Sequence, residues 1–413
     1  MRIVKRILCP YCFERINLFQ VDWRCSNEQC RRPGSQESPG EVDAVLGAYL
    51  AQFRPGAVSP RLPHAFPSPE PGFVAKTVGV GNPMHTVKCD WCKKPTPRRL
   101  CPECHNELPY TADTVENHVI AVIGPREVGK SNYIAALVNR LQKQVGTSFS
   151  LALMALNDAT TTRYRDEFYT PLFRNHRVVQ KTVLHGVVQS PLMFRLNIDS
   201  SNPLVRNKVL NLIFFDTAGE TFDSEALMFQ VRYLTNASAI ILLVDPLQME
   251  KVRVDVGARG CPLPQAFTEP AEVVTRVTNL FRQERVVEGA KKIDIPFAIS
   301  FTKSDVLRDY GILPAGNAVY SQPLHQGRFN KVIWRQIHDE VQSILGNWDD
   351  NSLDNILRND FSDFSFFCLS SLGEAPGADQ KVGTVSPFRV EDPLLWVLTR
   401  LGYLQAIMPR EGA

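Results

Sequence analysis

The sequence predicts an α/β fold in which a mostly parallel sheet, covered by helices on both faces, follows two small cysteine-rich ribbons. Three observations carry that expectation. From about Thr114 onward, apolar runs of strand length alternate with segments of helical period, as parallel strands joined by crossover helices require. A GxxxxGK[ST] motif, Gly124–Ser131, stands between one such strand and one such helix. Eight of the ten cysteines fall in the first quarter of the chain as close pairs. At 413 residues, 44% hydrophobic and 22% charged, the chain can bury a sizeable core in two or three domains.

Taken from the N-terminus, Met1–Leu8 runs into Cys9-Pro10 without the apolar stretch of a signal peptide. No run approaches the 18 apolar residues of a membrane span, so a cytosolic protein is expected. Lysine and arginine exceed aspartate and glutamate by only three, which argues against a polyanion-coating protein. In a reducing compartment, paired cysteines a few residues apart are thiolate ligands for zinc. The expected sites are Cys9, Cys12, Cys25 and Cys30, then Cys89, Cys92, Cys101 and Cys104. The spacing leaves open pairing across the intervening segment, such as Cys9 and Cys12 with Cys101 and Cys104. His85 and His105 are expected to be surface histidines, and Cys261 and Cys368 structural thiols.

The first ribbon with a following helix, Glu41–Phe53, occupies residues 1–53; a proline-rich linker, unable to form a helix or an inner strand, covers 54–84; the second ribbon covers 85–113. Over 114–413 the expected strands are Val119–Ile123, Leu151–Leu156, Leu192–Ile198, Val209–Phe215, Ala239–Val244, Phe297–Phe301 and Phe364–Leu369. The expected helices are Ser131–Val145, Thr160–Phe173, Pro270–Lys291, Asn330–Leu345 and Pro393–Tyr403.

Three motifs sit at strand ends, where open α/β sheets bind ligands. Gly124, Pro125, Arg126, Glu127, Val128 and Gly129 form a loop whose backbone N–H groups can surround phosphate. Lys130 then reaches the β- and γ-phosphates, Ser131 ligates Mg²⁺, and Asn132 continues the helix start. After Val209–Phe215 comes DTAGE: Asp216 suits Mg²⁺ and the Gly219 N–H suits a γ-phosphate. After Phe297–Phe301 comes TKSD, Thr302 to Asp305, whose aspartate can accept from the N1–H and 2-amino groups of guanine, a pair adenine lacks.

GPREVGKS, DTAGE and TKSD together resemble the first, third and fourth motifs of Ras-like GTPases of the translation-factor-related class, over roughly Val119–Leu404. The resemblance implies a six-stranded Ras-like sheet, GTP/GDP switching and Mg²⁺. It also implies a fifth motif at Leu369-Ser370-Ser371-Leu372, with Ser371 and Leu372 at the guanine. Zinc ribbons ahead of such a domain, with EDPLLWVL near the end, further resemble the bacterial double-GTPase families.

Three departures qualify the expected mechanism. Between Lys130 and Asp216 lie 85 residues, so an extra strand and helix are expected around switch I. Thr182 is the expected switch I ligand of Mg²⁺ and γ-phosphate, while Thr160, Thr161 and Thr162 suit a helix cap. Glu220 stands where many relatives carry a water-orienting glutamine, so hydrolysis should be slow or aided in trans. Arg126 and Glu127 fill positions that are usually glycine; Arg126 is read as a cis finger, as a block to one, or as a solvent-facing partner of Glu127.

Asp245-Pro246 is expected to make a turn, and Trp334, Trp348 and Trp396 to lie in the core or an interface. The expected protein is a GTPase switch binding GTP/GDP, Mg²⁺ and two Zn²⁺, whose ribbons dock a protein partner, an effector or a second GTPase. A nucleotide-dependent dimer is a further expectation. The rivals are a non-catalytic, constitutively loaded scaffold and a nucleic-acid-binding protein using Lys88, Lys93, Lys94, Arg98 and Arg99 of the second ribbon.

Overall fold

The computed structural model describes residues 6–17, 20–52, 56–68, 86–110, 112, 115–180, 191–199, 208–214, 231–265, 267–284, 291–349, 351–377 and 379–407. The chain divides into two compact units, the first mainly Met1–Asn117 and the second holding a seven-stranded sheet.

The first unit is built on short strands. Asp22–Arg24 is the middle of a three-stranded sheet, flanked by Ala65–Pro67 and Arg98–Leu100, both antiparallel to it. Ala65–Pro67 and the Arg61–Leu62 strand that pairs with Glu41–Val42 both lie in the expected linker, so residues 54–84 are not a linker throughout. Pro67 sits on an edge strand, where its missing N–H costs no inner ladder bond. The helix Ala44–Ala51 starts at Asp43, whose Oδ1 accepts the Leu46 N–H at 2.8 Å.

In the second unit the strands are β1 (Glu116–Ile123), β2 (Leu151–Ala155), β3 (Leu192–Ile198), β4 (Lys208–Phe214), β5 (Ala239–Val244), β6 (Phe297–Phe301) and β7 (Phe364–Cys368). Their order across the sheet is β2-β3-β4-β1-β5-β6-β7. Pairing is parallel along β1-β5-β6-β7 and antiparallel along β2-β3-β4. The implied six strands become seven because β2, formed within the long stretch after Lys130, adds an edge to β3. Strands β5 and β6 are buried at every position, which is why they read as continuous apolar runs.

The helices covering the sheet include α1 (Lys130–Gln142), α2 (Pro270–Gln283), α3 (Lys331–Asp349) and α4 (Asp392–Arg400). Where one helix was expected to Val145, α1 stops at Lys143 and a short helix, Gln144–Phe149, follows. Gly146 lies so close to the Leu141 carbonyl that a Cβ would sit 2.4 Å from its oxygen. The expected helix Thr160–Phe173 is an α-helical turn, Asp158–Arg163, continued as a π-helix over Tyr164–Arg174. Pro171 inside it has no N–H and would collide with the carbonyl four residues back, and a wider turn relieves both. Trp396 is buried in the core as expected, and Trp334, partly buried against that core, donates its indole N–H to Ser365 Oγ at 2.7 Å.

Buried His325 stacks on Phe329 and accepts the Asn330 N–H on Nδ1 at 3.1 Å. Burial, then the nearby Arg389 guanidinium, push its pKa down from 6.5 to about 4. The unfolded chain therefore binds a proton that the folded chain refuses between those values. Stability from this group is full above about pH 6.5 and is lost as pH falls toward 4, by about 3 kcal/mol on full titration. His325→Gln is expected to flatten the loss of urea midpoint between pH 7 and pH 4.5 relative to the parent protein.

Candidate nucleotide site and metal centres

The phosphate loop leaves β1 through Gly124, where a Cβ would meet the Leu243 carbonyl oxygen at 2.6 Å and Val128 Cγ1 at 3.0 Å. Glu127 and Gly129 take positive φ, +62° and +93°, and Gly129 opens α1 without a side-chain cap. Val128 is buried beneath the loop. The Lys130 ammonium folds back over it, donating to the Gly124 and Pro125 carbonyls at 2.8 and 3.0 Å. This is a backbone ring at the N-terminus of a 13-residue helix, suited to an anion.

Arg126 is exposed, and the Glu127 carboxylate accepts the Gln265 N–H at 3.2 Å. The Asn132 side chain accepts the Val179 N–H at 2.8 Å and so anchors the segment leading to residue 180. Thr160 N–H is capped by Asn157 and the Thr161 hydroxyl donates to the Asn157 carbonyl, the helix-start role expected of these threonines. Thr182, Asp216, Gly219 and Glu220, like His85, lie outside the described residues.

TKSD begins at the end of β6. Thr302 donates both N–H and hydroxyl to the Val244 carbonyl, at 2.8 and 3.1 Å, tying the ends of β6 and β5 together. Lys303 is left-handed, with φ +57°, and its ammonium pairs with the fully buried Asp245 carboxylate. Asp305 is buried, and that burial raises its pKa despite a hydrogen bond from Ser370. Ser370 Oγ also accepts the Gly373 N–H at 2.8 Å, and Ser304 N–H donates to the Leu369 carbonyl at 3.1 Å. The loop carrying Ser371 and Leu372 is thereby stitched to TKSD. Sequence reasoning named Ser371 and missed Ser370, although the LSSL motif contains both. Asp245 does make the expected turn, accepting the Leu247 N–H at 3.0 Å, but its pairing with Lys303 carried no sequence signal.

The cysteine clusters correct the expected pairing. One is Cys9, Cys12, Cys101 and Cys104; the other is Cys25, Cys30, Cys89 and Cys92. Cys9/Cys12, Cys89/Cys92 and Cys101/Cys104 are matching knuckles. In each, the residue after the second cysteine, Phe13, Lys93 or His105, has positive φ and donates its N–H to the first cysteine's carbonyl. The physical reason for the exchange is strand pairing. Asp22–Arg24 runs antiparallel to Arg98–Leu100, with Asp22 opposite Leu100 and Arg24 opposite Arg98. Cys25 and Cys101 therefore leave opposite ends of the sheet, and each joins the knuckle at its own end.

Sulfur pairs stand 3.8 and 3.7 Å apart in the first cluster and 3.4 and 3.8 Å in the second. Zn–S bonds of about 2.3 Å in a tetrahedron place sulfurs about 3.8 Å apart, so the donor sets fit that ion. His105 is not a surface residue: Nδ1 lies 2.8 Å from Asp43 and Nε2 3.3 Å from Asp22, with its side chain 15% exposed. Asp43 also pairs with buried Arg24, so a charged network braces the Cys101/Cys104 knuckle that ends at His105.

A phosphate loop on β1, a TKSD loop on β6 and a serine loop on β7, at the C-terminal edge of this strand order, define a P-loop GTPase domain. A family model described as Double-GTPase 2 matches residues 118–346, and the chain belongs to that family. The putative ESX-1 scaffolding and assembly protein SaeC of Mycolicibacterium smegmatis is 26% identical over 416 residues, covering 96% of this chain and 99% of that protein. Among solved structures, the Arl6 BBS3 small GTPase of Trypanosoma brucei with bound GppNp shares 10% identity over 70% of this chain and 99% of its own, at a TM-score of 0.28. The S. cerevisiae Ski7 GTPase-like domain bound to GDP and phosphate shares 14% over 70% of this chain and 51% of its own, at 0.30. At those scores the fold assignment rests on the strand order and the family. No helix among the described residues is long and apolar enough to cross a membrane.

Proposed function

We propose that this chain is a GTP-binding switch that hydrolyses GTP to GDP, slowly or with help in trans, and that its two four-cysteine clusters hold zinc in a module that docks a protein partner. The observation that supports this best is the convergence of the phosphate, TKSD and serine loops on the ends of β1, β6 and β7. In this reading Lys130 is the phosphate ligand, Ser131, Asp216 and Thr182 are assigned to Mg²⁺, Gly219 and Glu220 to the γ-phosphate and attacking water, and Asp305 to guanine. Exposed Val42, Val45 and Val58 on the first unit are consistent with a docking role. Calorimetric titration of nucleotide-stripped, zinc-loaded protein with GTP, GDP and ATP tests the reading. Mg²⁺-dependent guanine binding without ATP binding supports it, and equal ATP binding refutes the base assignment.

Asp305→Asn is expected to weaken GTP by about 100-fold and to favour xanthosine triphosphate, because an amide reverses one hydrogen bond at the base edge. Since burial holds the Asp305 carboxyl above the ordinary carboxylate range, guanine affinity should fall with pH starting above that range, as the acceptor becomes protonated.

A second reading, a constitutively loaded scaffold, is favoured by the scaffolding and assembly description of SaeC. Single-turnover hydrolysis separates the two: no phosphate release over hours, alone or with a cognate partner, selects the scaffold.

A further inference from the structure

The sheet order places β5 between β1 and β6, so the turn after β5 lies between the phosphate loop and the TKSD loop. That turn, Asp245–Gln248, touches both. Asp245 has no exposed side-chain surface; one carboxylate oxygen accepts the Leu247 N–H and the other holds the Lys303 ammonium. Gln248 is equally buried, its N–H donates to the Asp245 carbonyl at 2.9 Å, and its Nε2 donates to the Arg126 carbonyl of the phosphate loop at 2.8 Å. Neither residue has a catalytic motif to explain its burial, which is costly for a carboxylate and an amide, the more so for Gln248, whose Oε1 is buried without a hydrogen-bond partner among the described residues.

We propose that this turn is a clasp that sets base selectivity: Asp245 positions Lys303 away from Asp305, and Gln248 positions the phosphate loop. The inference rests on the guanine-nucleotide reading of the site. Lys303 lies two residues before the buried Asp305 in the chain, and its four-carbon stem is flexible. Released from Asp245, the ammonium has Asp305 as its alternative anion, and there it would occupy the oxygens that must accept the N1–H and 2-amino groups of guanine. Asp245 thus keeps Asp305 available for the base, while Gln248 fixes a carbonyl that no base touches. The two residues are positioning residues with separable effects, one on the base and one on the triphosphate.

The test uses the full zinc-loaded chain and calorimetric titration with Mg²⁺ complexes of GTP, ATP and inorganic tripolyphosphate. Asp245→Asn is expected to lower GTP affinity at least about tenfold while leaving ATP and tripolyphosphate within about twofold. Gln248→Met is expected to lower all three by one common factor. In a double-mutant cycle, adding Asp245→Asn to Lys303→Met should cost GTP affinity nothing further. Equal losses for all three ligands in Asp245→Asn, or additivity in the cycle, would overturn the clasp. Should Asp245→Asn fail to fold, the double variant, which removes both charges, carries the measurement. With no ammonium left to reach Asp305, it must bind GTP as Lys303→Met does, and a GTP affinity well below that of Lys303→Met overturns the proposal. A parent protein that does not prefer GTP to ATP refutes the nucleotide reading and the clasp with it; a parent that does, with an unaltered Asp245→Asn, refutes the clasp alone.

Discussion

Replacing Cys9 and Cys25 together is expected to remove both zinc ions, whereas replacing Cys9 and Cys104 together removes one. The prediction follows from the cluster membership, Cys9 and Cys12 with Cys101 and Cys104, Cys25 and Cys30 with Cys89 and Cys92. Had neighbouring pairs in the sequence shared a site, Cys9 and Cys25 would belong to one ion and Cys9 and Cys104 to two, so metal content by atomic emission separates the arrangements. The expected effect on folding is large. Among the described residues the first unit has strands of only two or three residues and one eight-residue helix, little regular structure with which to stand without bound metal. Structural zinc contributes about 10–16 kcal/mol of apparent binding free energy at neutral pH, all of it available to folding. Chelation should therefore abolish protease resistance of residues before about 117 while sparing the P-loop unit, and limited proteolysis with mass spectrometry would show it. Loss of both ions without change in the cleavage pattern would exclude a structural role.

Arg389→Ala should be the most damaging single substitution in the P-loop unit. The guanidinium is fully buried and donates to the Val319 carbonyl at 2.8 Å, to the carbonyls of Gln322 and Pro323, and to Asp392 at 3.0 Å. Its removal strands a buried carboxylate and three carbonyls, a loss of about 3–5 kcal/mol. The urea midpoint followed by intrinsic tryptophan fluorescence is the readout, since Trp334, Trp348 and Trp396 all lie in the P-loop unit, Trp396 in the same helix as Asp392. The Arg389→Ala/Asp392→Ala pair should cost less than the sum of the single changes, because the second removes the stranded charge. The EDP part of the EDPLLWVL segment acquires its explanation here. Asp392 holds Arg389, the neighbouring Glu391 holds Arg140 of α1 at 2.6 Å, and Pro393 sits in the first turn of α4.

Much of this was legible beforehand because local signals carried it. Leu192–Ile198, Ala239–Val244 and Phe297–Phe301 match their expected bounds, and Leu151–Ala155, Lys208–Phe214 and Phe364–Cys368 do so within a residue; Ala239–Val244 and Phe297–Phe301, buried at every position, have no alternative to an apolar composition. The phosphate loop was legible for a related reason: its glycines answer backbone geometry at Gly124 and Gly129, and that need is written at fixed spacing. The short helices Glu250–Ala258 and Ser352–Asp360 were missed, having too few periodic positions to stand out. Ser370 was passed over for its neighbour, since only the contact with Asp305 tells the two serines apart.

By itself the sequence determined the α/β class, the order of the motifs along the chain and the eight thiols as candidate metal donors, because each depends on residues adjacent or nearly adjacent in the chain. Which thiols cluster together, which carboxylate pairs with Lys303 and why Arg389 is tolerated in the core were decided only by the tertiary structure. Each joins residues tens of positions apart, brought together by the register of an antiparallel pair at Asp22–Arg24, by the place of β5 between β1 and β6, and by the carbonyls of Val319, Gln322 and Pro323 turned onto Arg389. Such partners are chosen by strand order and burial, and no spacing in the chain encodes them.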